Sequence, residues 1–310
     1  MVLLIFHVNT DTIAQSNRIG FRHKSCPNIP IFPAKKLTPD FLVIGHICHD
    51  KIPGGFTPGG AAAYAGLLSH RLGHNTAILT AYGDDFQFAS QFEGINVHAV
   101  ASPQTTVFEN IYHDGQRTQY LHSRANPLTP ADLPAHWQAP KTVLLGPICD
   151  EVSFGFLDFF AQKDTITCAC PQGWMRQWDA QHQVFPKPIP DWQLLAKADI
   201  ISMSEADVGG DWALIEHIAS IAPLLLVTQG AQGATVFEQG HSRRQFPALP
   251  VEEVEPTGAG DIFAAAFTLC YAEERDVERA ARFAIAAAGV SVTGKGMGSV
   301  PEFAEVSRFW

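Results

Sequence analysis

Short apolar runs separated by helical stretches set the strongest limit on how this 310-residue chain can fold. Residues 41–45, 76–81, 141–146, 166–170, 199–203 and 224–228 each read as a buried strand. Each is a brief apolar run ended by Gly or polar residues, too short for a helix of its own. Residues 61–72, the stretches near 151–162, 191–197 and 205–221, and the Ala-rich segments 261–272 and 277–292 read as helices. Strand and helix in repetition predict an α/β fold, a doubly wound and mostly parallel sheet with helices on both faces. Residues 233–238 suit a hairpin partner for the strand ending at Thr228. One passage breaks the rhythm. Residues 107–113 and 118–122 alternate polar and apolar around Asp114-Gly115, a strong hairpin signal. They predict a small β lid contributed by about residues 105–124.

Composition removes several function classes. Lys and Arg number 21 against 31 Asp and Glu, a net charge of −10. A broad nucleic-acid surface or an anionic-membrane surface is not expected of such a chain. No apolar run approaches the roughly 18–20 residues of a membrane helix. The six Cys contain no CxxC pair and are too sparse for a disulfide scaffold, so a cytoplasmic protein is expected. Residues 1–40 differ from the rest, with five Lys or Arg against two Asp and several Pro. They are expected to form a disordered N-terminal extension ahead of a domain over 41–310.

The most informative stretch is Glu255-Pro-Thr-Gly-Ala-Gly-Asp261, followed by an apolar helix. Gly258 and Gly260 permit a tight turn. A turn at a helix N-terminus leaves backbone N–H groups free and carries about half a positive charge, so it suits an anion. Asp261 there is either a first-turn acid that favours the dipole or a general base beside a phosphate cradle.

Three separated motifs agree in order. Gly59-Gly-Ala-Ala-Ala63 opens the first helix and leads to Leu72-Gly73 and Gly83-Asp-Asp85. Thr228-Gln-Gly-Ala-Gln-Gly-Ala234 ends a strand, and the Gly-Ala-Gly-Asp turn follows about thirty residues later. Together they resemble the ribokinase-like (PfkB) carbohydrate kinase family over about residues 41–302. The segment Gly45-His-Ile-Cys-His-Asp50 with Gly59-Gly60 looks most like its inositol-kinase-like branch.

The resemblance implies transfer of the γ-phosphoryl of ATP to a hydroxyl of a sugar, polyol or nucleoside. It implies Asp261 as the base, with the amides of Gly258, Ala259 and Gly260 around the migrating group. It places Asp50, Gly59 and Gly60 at the acceptor, and Thr228, Gly230 and Gly233 beside the nucleotide phosphates. Gly296 matches a loop near the adenine, and Glu205 matches an acid that organises Mg²⁺ through water. Arg176, in Pro171-Gln-Gly-Trp-Met-Arg176, is a candidate phosphate clamp on the nucleotide side. Arg117, on the predicted lid, is a candidate substrate contact, and so is Arg124. Glu255 stands where the resemblance allows a monovalent cation. A homodimer through the lid is a further implication.

Departures from the pattern keep alternatives open. Tyr64, Cys170 and Ser202 stand where the family commonly has Asn, an acid and Asn. Tyr64 could face a base, as in a nucleoside kinase of the same fold. The three changes also suit a degenerate relative that binds sugar or nucleotide without turnover. Two other signals carry little. Gly289–Gly296 has Walker-type Gly and Lys spacing but lacks the final Ser or Thr and follows a helix. His46, Cys48, His49 and Asp50 alternate at a strand end, so neighbours point to opposite faces rather than to one metal.

Overall fold

The computed structural model describes residues 38–113, 116–239 and 242–310. Most of the expected N-terminal extension and the Asp114-Gly115 turn lie outside the described residues. The chain enters the interior of a sheet as β1 (Phe41–Ile44) and leaves it as β2 (Cys48–Ile52) and β3 (Gly55–Gly59). It returns through α1 (Ala61–Arg71), β4 (Thr76–Tyr82) and β5 (Asn96–Ala101). A hairpin of β6 (Val107–His113) and β7 (Gln116–Ser123) precedes β8 (Thr142–Leu145), α2 (Gly155–Phe160) and β9 (Ile166–Ala169). The short β10 (Arg176–Trp178) and β11 (Val184–Pro186) pair with each other. Then come β12 (Ile200–Ser204), α3 (Trp212–Ile221), β13 (Leu224–Thr228), β14 (Ala234–Glu238) and β15 (Ser242–Phe246). The chain closes with α4 (Ala259–Glu274), α5 (Val277–Ser291) and α6 (Phe303–Val306).

Among the described residues the main sheet runs β15-β14-β13-β12-β9-β8-β1-β4-β5. Its strands from β5 to β13 are parallel, and β14 and β15 add an antiparallel edge. The predicted doubly wound sheet is therefore present. Period-two alternation divides each strand between two cores. Phe41, Val43, Leu144, Leu224 and Leu226 pack with α1, α4 and α5, while Leu42, Ile44, Leu145, Leu225 and Val227 pack with α2 and α3. Burying each such side chain stabilises the fold by about 1.5–3 kcal/mol, which is why these strands read as continuous apolar runs.

The lid is larger than the sequence suggests. It is a four-stranded sheet in the order β3-β2-β6-β7, so residues 48–59 supply half of it beside the expected hairpin. Asp50 thus lies within a lid strand rather than in a turn after β1. β2 is hard to recognise because it finds its parallel partner β6 far away in sequence, with Asp50 opposite Phe108. One face of the lid carries Asp50, Thr57, Phe108, Asn110, Gln119 and Arg117, as the registers Asp50↔Thr57, Asn110↔Gln119 and Tyr112↔Arg117 require. The other face carries His49, Lys51, Glu109 and Ile111.

Candidate active site

The C-terminal ends of parallel strands are where ligands bind in open α/β sheets. Here they lead to His46 after β1, Ile148 after β8, Cys170 after β9 and Glu205 after β12. The start of α4 completes the group. Gly258 caps it in the left-handed conformation at φ 81°, and Asp261 is its third residue. The Ala259 N–H donates to the Pro256 carbonyl at 3.1 Å, and that of Ile262 to Gly258 at 2.9 Å. This corrects the sequence expectation for Ala259, whose amide is consumed inside the turn. Those of Gly258, Gly260 and Asp261 keep no protein acceptor among the described residues.

Asp261 is half-buried at the mouth of α4. Burial lifts its carboxyl from the ordinary range to about 7; Arg176 pulls it down and Asp207 pushes it up. Arg176 donates through Nη1 to the Ile148 carbonyl at 2.8 Å, and its guanidinium carbon lies 5.7 Å from the centre of the Phe108 ring. It therefore reaches from body to lid, within electrostatic range of Asp261.

Asp50 faces the same space from the lid. Burial raises its carboxyl to about 6; the Cys48 thiol, 3.8 Å away, and then Arg176 and Arg117 oppose this, while Glu255 adds to it. Gly59 makes room for that carboxylate, since a Cβ there would stand 2.0 Å from Asp50 Oδ2. Gly60, at φ 96°, lets the His46 carbonyl approach where a Cβ would come within 2.4 Å. Arg117 is exposed on the same lid face.

Tyr64 is buried, and burial first, then Asp50, Glu255 and Asp261, push its hydroxyl pKa up. Its ring packs on the Gly258 turn. Thr228 ends β13 with its hydroxyl 3.4 Å from the Met203 carbonyl. Gly230 has φ 56°, and Gly233 admits the Phe246 carbonyl, 2.0 Å from where its Cβ would be. The Glu205 carboxylate accepts from the Trp212 indole at 2.6 Å and the Gln229 amide at 3.4 Å. The Gly296 N–H donates to Glu255 at 3.2 Å, and a Cβ on Gly296 would lie 4.0 Å from Thr57 of the lid. Gly296 thus sits against β3.

Sequence reasoning missed three polar residues here. Asp207 accepts from the Ser204 N–H at 2.8 Å and from Gln172 at 3.4 Å while raising the Asp261 pKa. Asn110 and Gln119 are joined at 2.9 Å on the Asp50 face of the lid. That pair was legible, because the Asp114-Gly115 hairpin signal in the sequence sets 110 opposite 119. The Gly83-Asp84-Asp85 motif holds the lid's base. Asp85 Oδ1 accepts from the Thr105 N–H at 3.0 Å and its hydroxyl at 2.7 Å.

His46, Cys149 and Glu151 bring possible metal ligands together in the interior. They do not suit a metal. Glu151 accepts the N–H groups of His46, Ile148 and Cys149 at 2.8–3.0 Å, and both imidazole nitrogens are engaged.

A family model described as pfkB family carbohydrate kinase matches residues 182–303. The chain is 26% identical over 263 residues to the cytidine kinase of Thermococcus kodakarensis, covering 79% of this chain and 93% of that protein. It superposes on a pyrophosphate-dependent kinase in the ribokinase family, complexed with a pyrophosphate analog and myo-inositol, with TM-score 0.70 and 24% identity. That match covers 84% of this chain and 98% of the other. Arabidopsis thaliana ribokinase complexed with ribose and ATP superposes with TM-score 0.69 and 22% identity, covering 88% and 98%. The expected ribokinase-like fold is borne out.

Proposed function

Because the chain belongs to the pfkB family of carbohydrate kinases, we propose that it transfers the γ-phosphoryl group of ATP to a hydroxyl of a sugar or polyol, with an inositol-like ring ahead of furanose sugars. The observation that carries this reading is that one guanidinium, that of Arg176, acts electrostatically on both Asp261 at the opening of α4 and Asp50 on the lid, while it donates to the Ile148 carbonyl. In this reading Asp50, Asn110 and Gln119 receive the acceptor's hydroxyls. Gly59 and Gly60 give them room, and Arg117 closes the edge. Asp261 takes the proton of the reacting hydroxyl as its oxygen bonds to phosphorus and the bond to ADP breaks. A carboxyl near 7 suits a base working at neutral pH. The amides of Gly258, Gly260 and Asp261, with Arg176, hold the charge spread over the phosphoryl oxygens.

ATP as donor draws support from the loop of Thr228, Gly230 and Gly233, which follows β13 with Gly230 and Gly233 both at positive φ. The superposition on a pyrophosphate-dependent kinase makes pyrophosphate the donor to test beside it. Mg²⁺ bound with the donor would neutralise phosphate charge. Glu205 and Asp207 fit that ion, since each carboxylate keeps lone pairs beyond its protein donors. Glu255 retains a carboxylate oxygen for a monovalent cation. Ile111, 47% exposed on the outer lid face, fits a homodimer there.

The cytidine kinase relative favours nucleosides as a second reading. One acceptor screen separates the two. Purified protein, Mg·ATP or pyrophosphate, and panels of polyols, sugars and nucleosides are assayed for acceptor-dependent phosphoryl transfer. Turnover confined to nucleosides overturns the polyol assignment, and donor binding without turnover on any acceptor overturns the kinase reading.

A further inference from the structure

Four stretches of chain join the lid strands to the rest of the fold: residues 45–47, residue 60, residues 102–106 and residues 124–141. One fully buried residue, His46, touches all four. It lies in the first. Its carbonyl faces Gly60 in the second, where a Cβ would come within 2.4 Å. Its Nδ1 is 2.8 Å from the Thr106 hydroxyl in the third, and its Nε2 is 2.9 Å from the Asn126 carbonyl in the fourth.

The partners fix the imidazole's state. The Asn126 carbonyl can only accept, so Nε2 carries the proton. Nδ1 is then an acceptor, and Thr106 donates to it. The Thr106 oxygen is free to do so because it takes its own hydrogen bond from the Ala125 N–H at 2.9 Å. Burial also lowers the His46 pKa, in keeping with a neutral ring. On the body side, the His46 N–H donates to Glu151 at 3.0 Å. Glu151 grips Ile148, and the Ile148 carbonyl accepts from Arg176. One chain of hydrogen bonds therefore runs from the lid crossings to the guanidinium beside Asp261.

We propose that His46 is the positioning residue of the lid, holding its crossings in one register and so fixing Asp50 relative to Asp261. His46 touches no reacting atom in this arrangement. Its catalytic consequence rests on the roles proposed above for Asp50 and Asp261, whereas its mechanical role does not.

The test uses the full chain with Thr106→Val, which removes the hydroxyl at nearly constant shape, and Thr106→Ser, which restores it. Amide hydrogen exchange is followed without substrate. In Thr106→Val the amides of β2, β6 and β7 should exchange about tenfold faster, while β1, β4 and β8 keep wild-type rates. Thr106→Ser should match the wild type. His46→Gln, with an altered reach between donor and acceptor, should repeat the lid-selective effect. With an active acceptor in hand, Thr106→Val should raise the acceptor KM about tenfold and leave kcat at saturation within about twofold. Wild-type exchange in the lid of Thr106→Val overturns the proposal. So does acceleration spread equally over the main sheet, or loss of folding in both variants, since His46 would then hold the whole fold. Lid-selective exchange without turnover on any acceptor sinks the kinase reading and leaves the lid role standing.

Discussion

The ring of Tyr64 lies against the Cα of Gly258, so close that a Cβ on the glycine would stand 2.4 Å from Cδ1. The first helix thus buttresses the turn that opens α4. Gly258→Ala meets both this ring and the cost of a left-handed φ of 81°, about 1–2 kcal/mol for a residue with a Cβ. The turn must shift, and its free amides shift with it. Kinetics should show kcat reduced about 10²–10³-fold, the loss typical of a displaced oxyanion donor. Adding Tyr64→Ala removes the clash but leaves the backbone strain, so the double variant should recover part of that loss. An unchanged kcat in Gly258→Ala would mean the turn plays no part in phosphoryl transfer.

Asp261 should set the acid limb of activity. Its folded pKa of about 7 means that kcat/KM rises with pH and levels above that value. Asp261→Asn should lower kcat about 10²–10⁴-fold. Stability should move the other way. The pKa is raised from an ordinary carboxyl value, so the folded state holds an extra proton between about pH 4 and 7. Asp261 therefore contributes stability at acid pH that is lost as pH rises through about 7. Asp261→Asn should melt close to the wild type at pH 4 and a few °C above it at pH 8. Melting scans of both proteins across this range check the sign, and a Tm gap that closes with rising pH contradicts the burial of this carboxyl.

The main sheet was legible because its strands are apolar on both faces, and Phe41–Ile44 could be little else. The opening of α4 was legible too, since Gly258 marks a left-handed cap and the alanines that follow mark a helix. Part of what escaped notice depended on distant pairing. Cys48–Ile52 is a strand only because β3 and β6 flank it, and its exposed Lys51 and Ile52 hide the pattern. Asp207 sits in a first-turn position, where it accepts from the Ser204 N–H, and nothing in that local pattern points to Asp261. That the ring of Tyr64 turns toward residue 258 is likewise nothing one sequence can tell. For His46, nothing local in the sequence ties residue 46 to residues 106 and 126.

Arg176 should tune the same titration. Its guanidinium pulls the Asp261 pKa down against burial. Arg176→Met keeps much of the stem packed near Phe108 and removes the charge. The acid limb of kcat/KM should then move to higher pH, and kcat on the plateau should fall by at least tenfold as phosphoryl charge loses a partner. Arg176→Lys restores charge without the fork that reaches Ile148, and should return the acid limb toward its original position while kcat stays low. A pH profile unmoved in the Met variant would separate Arg176 from Asp261.

Gly59 and Gly55 lie in one lid strand and should respond in opposite ways to Ala. A Cβ on Gly59 would stand 2.0 Å from Asp50 Oδ2, whereas one on Gly55 meets nothing within 4 Å. Neither glycine has a positive φ, so backbone strain does not separate them. Gly59→Ala must push the Asp50 carboxylate off its present position and leave Asp261 alone. Acceptor KM should rise about 10–100-fold, the cost of losing one or two charge-assisted hydrogen bonds, with kcat at saturation changed far less. Gly55→Ala should leave both parameters within about twofold and Tm within about 2 °C. Steady-state kinetics on the acceptor found by screening decide the matter. Equal KM values for the two variants would show that the Asp50 carboxylate does not read the acceptor.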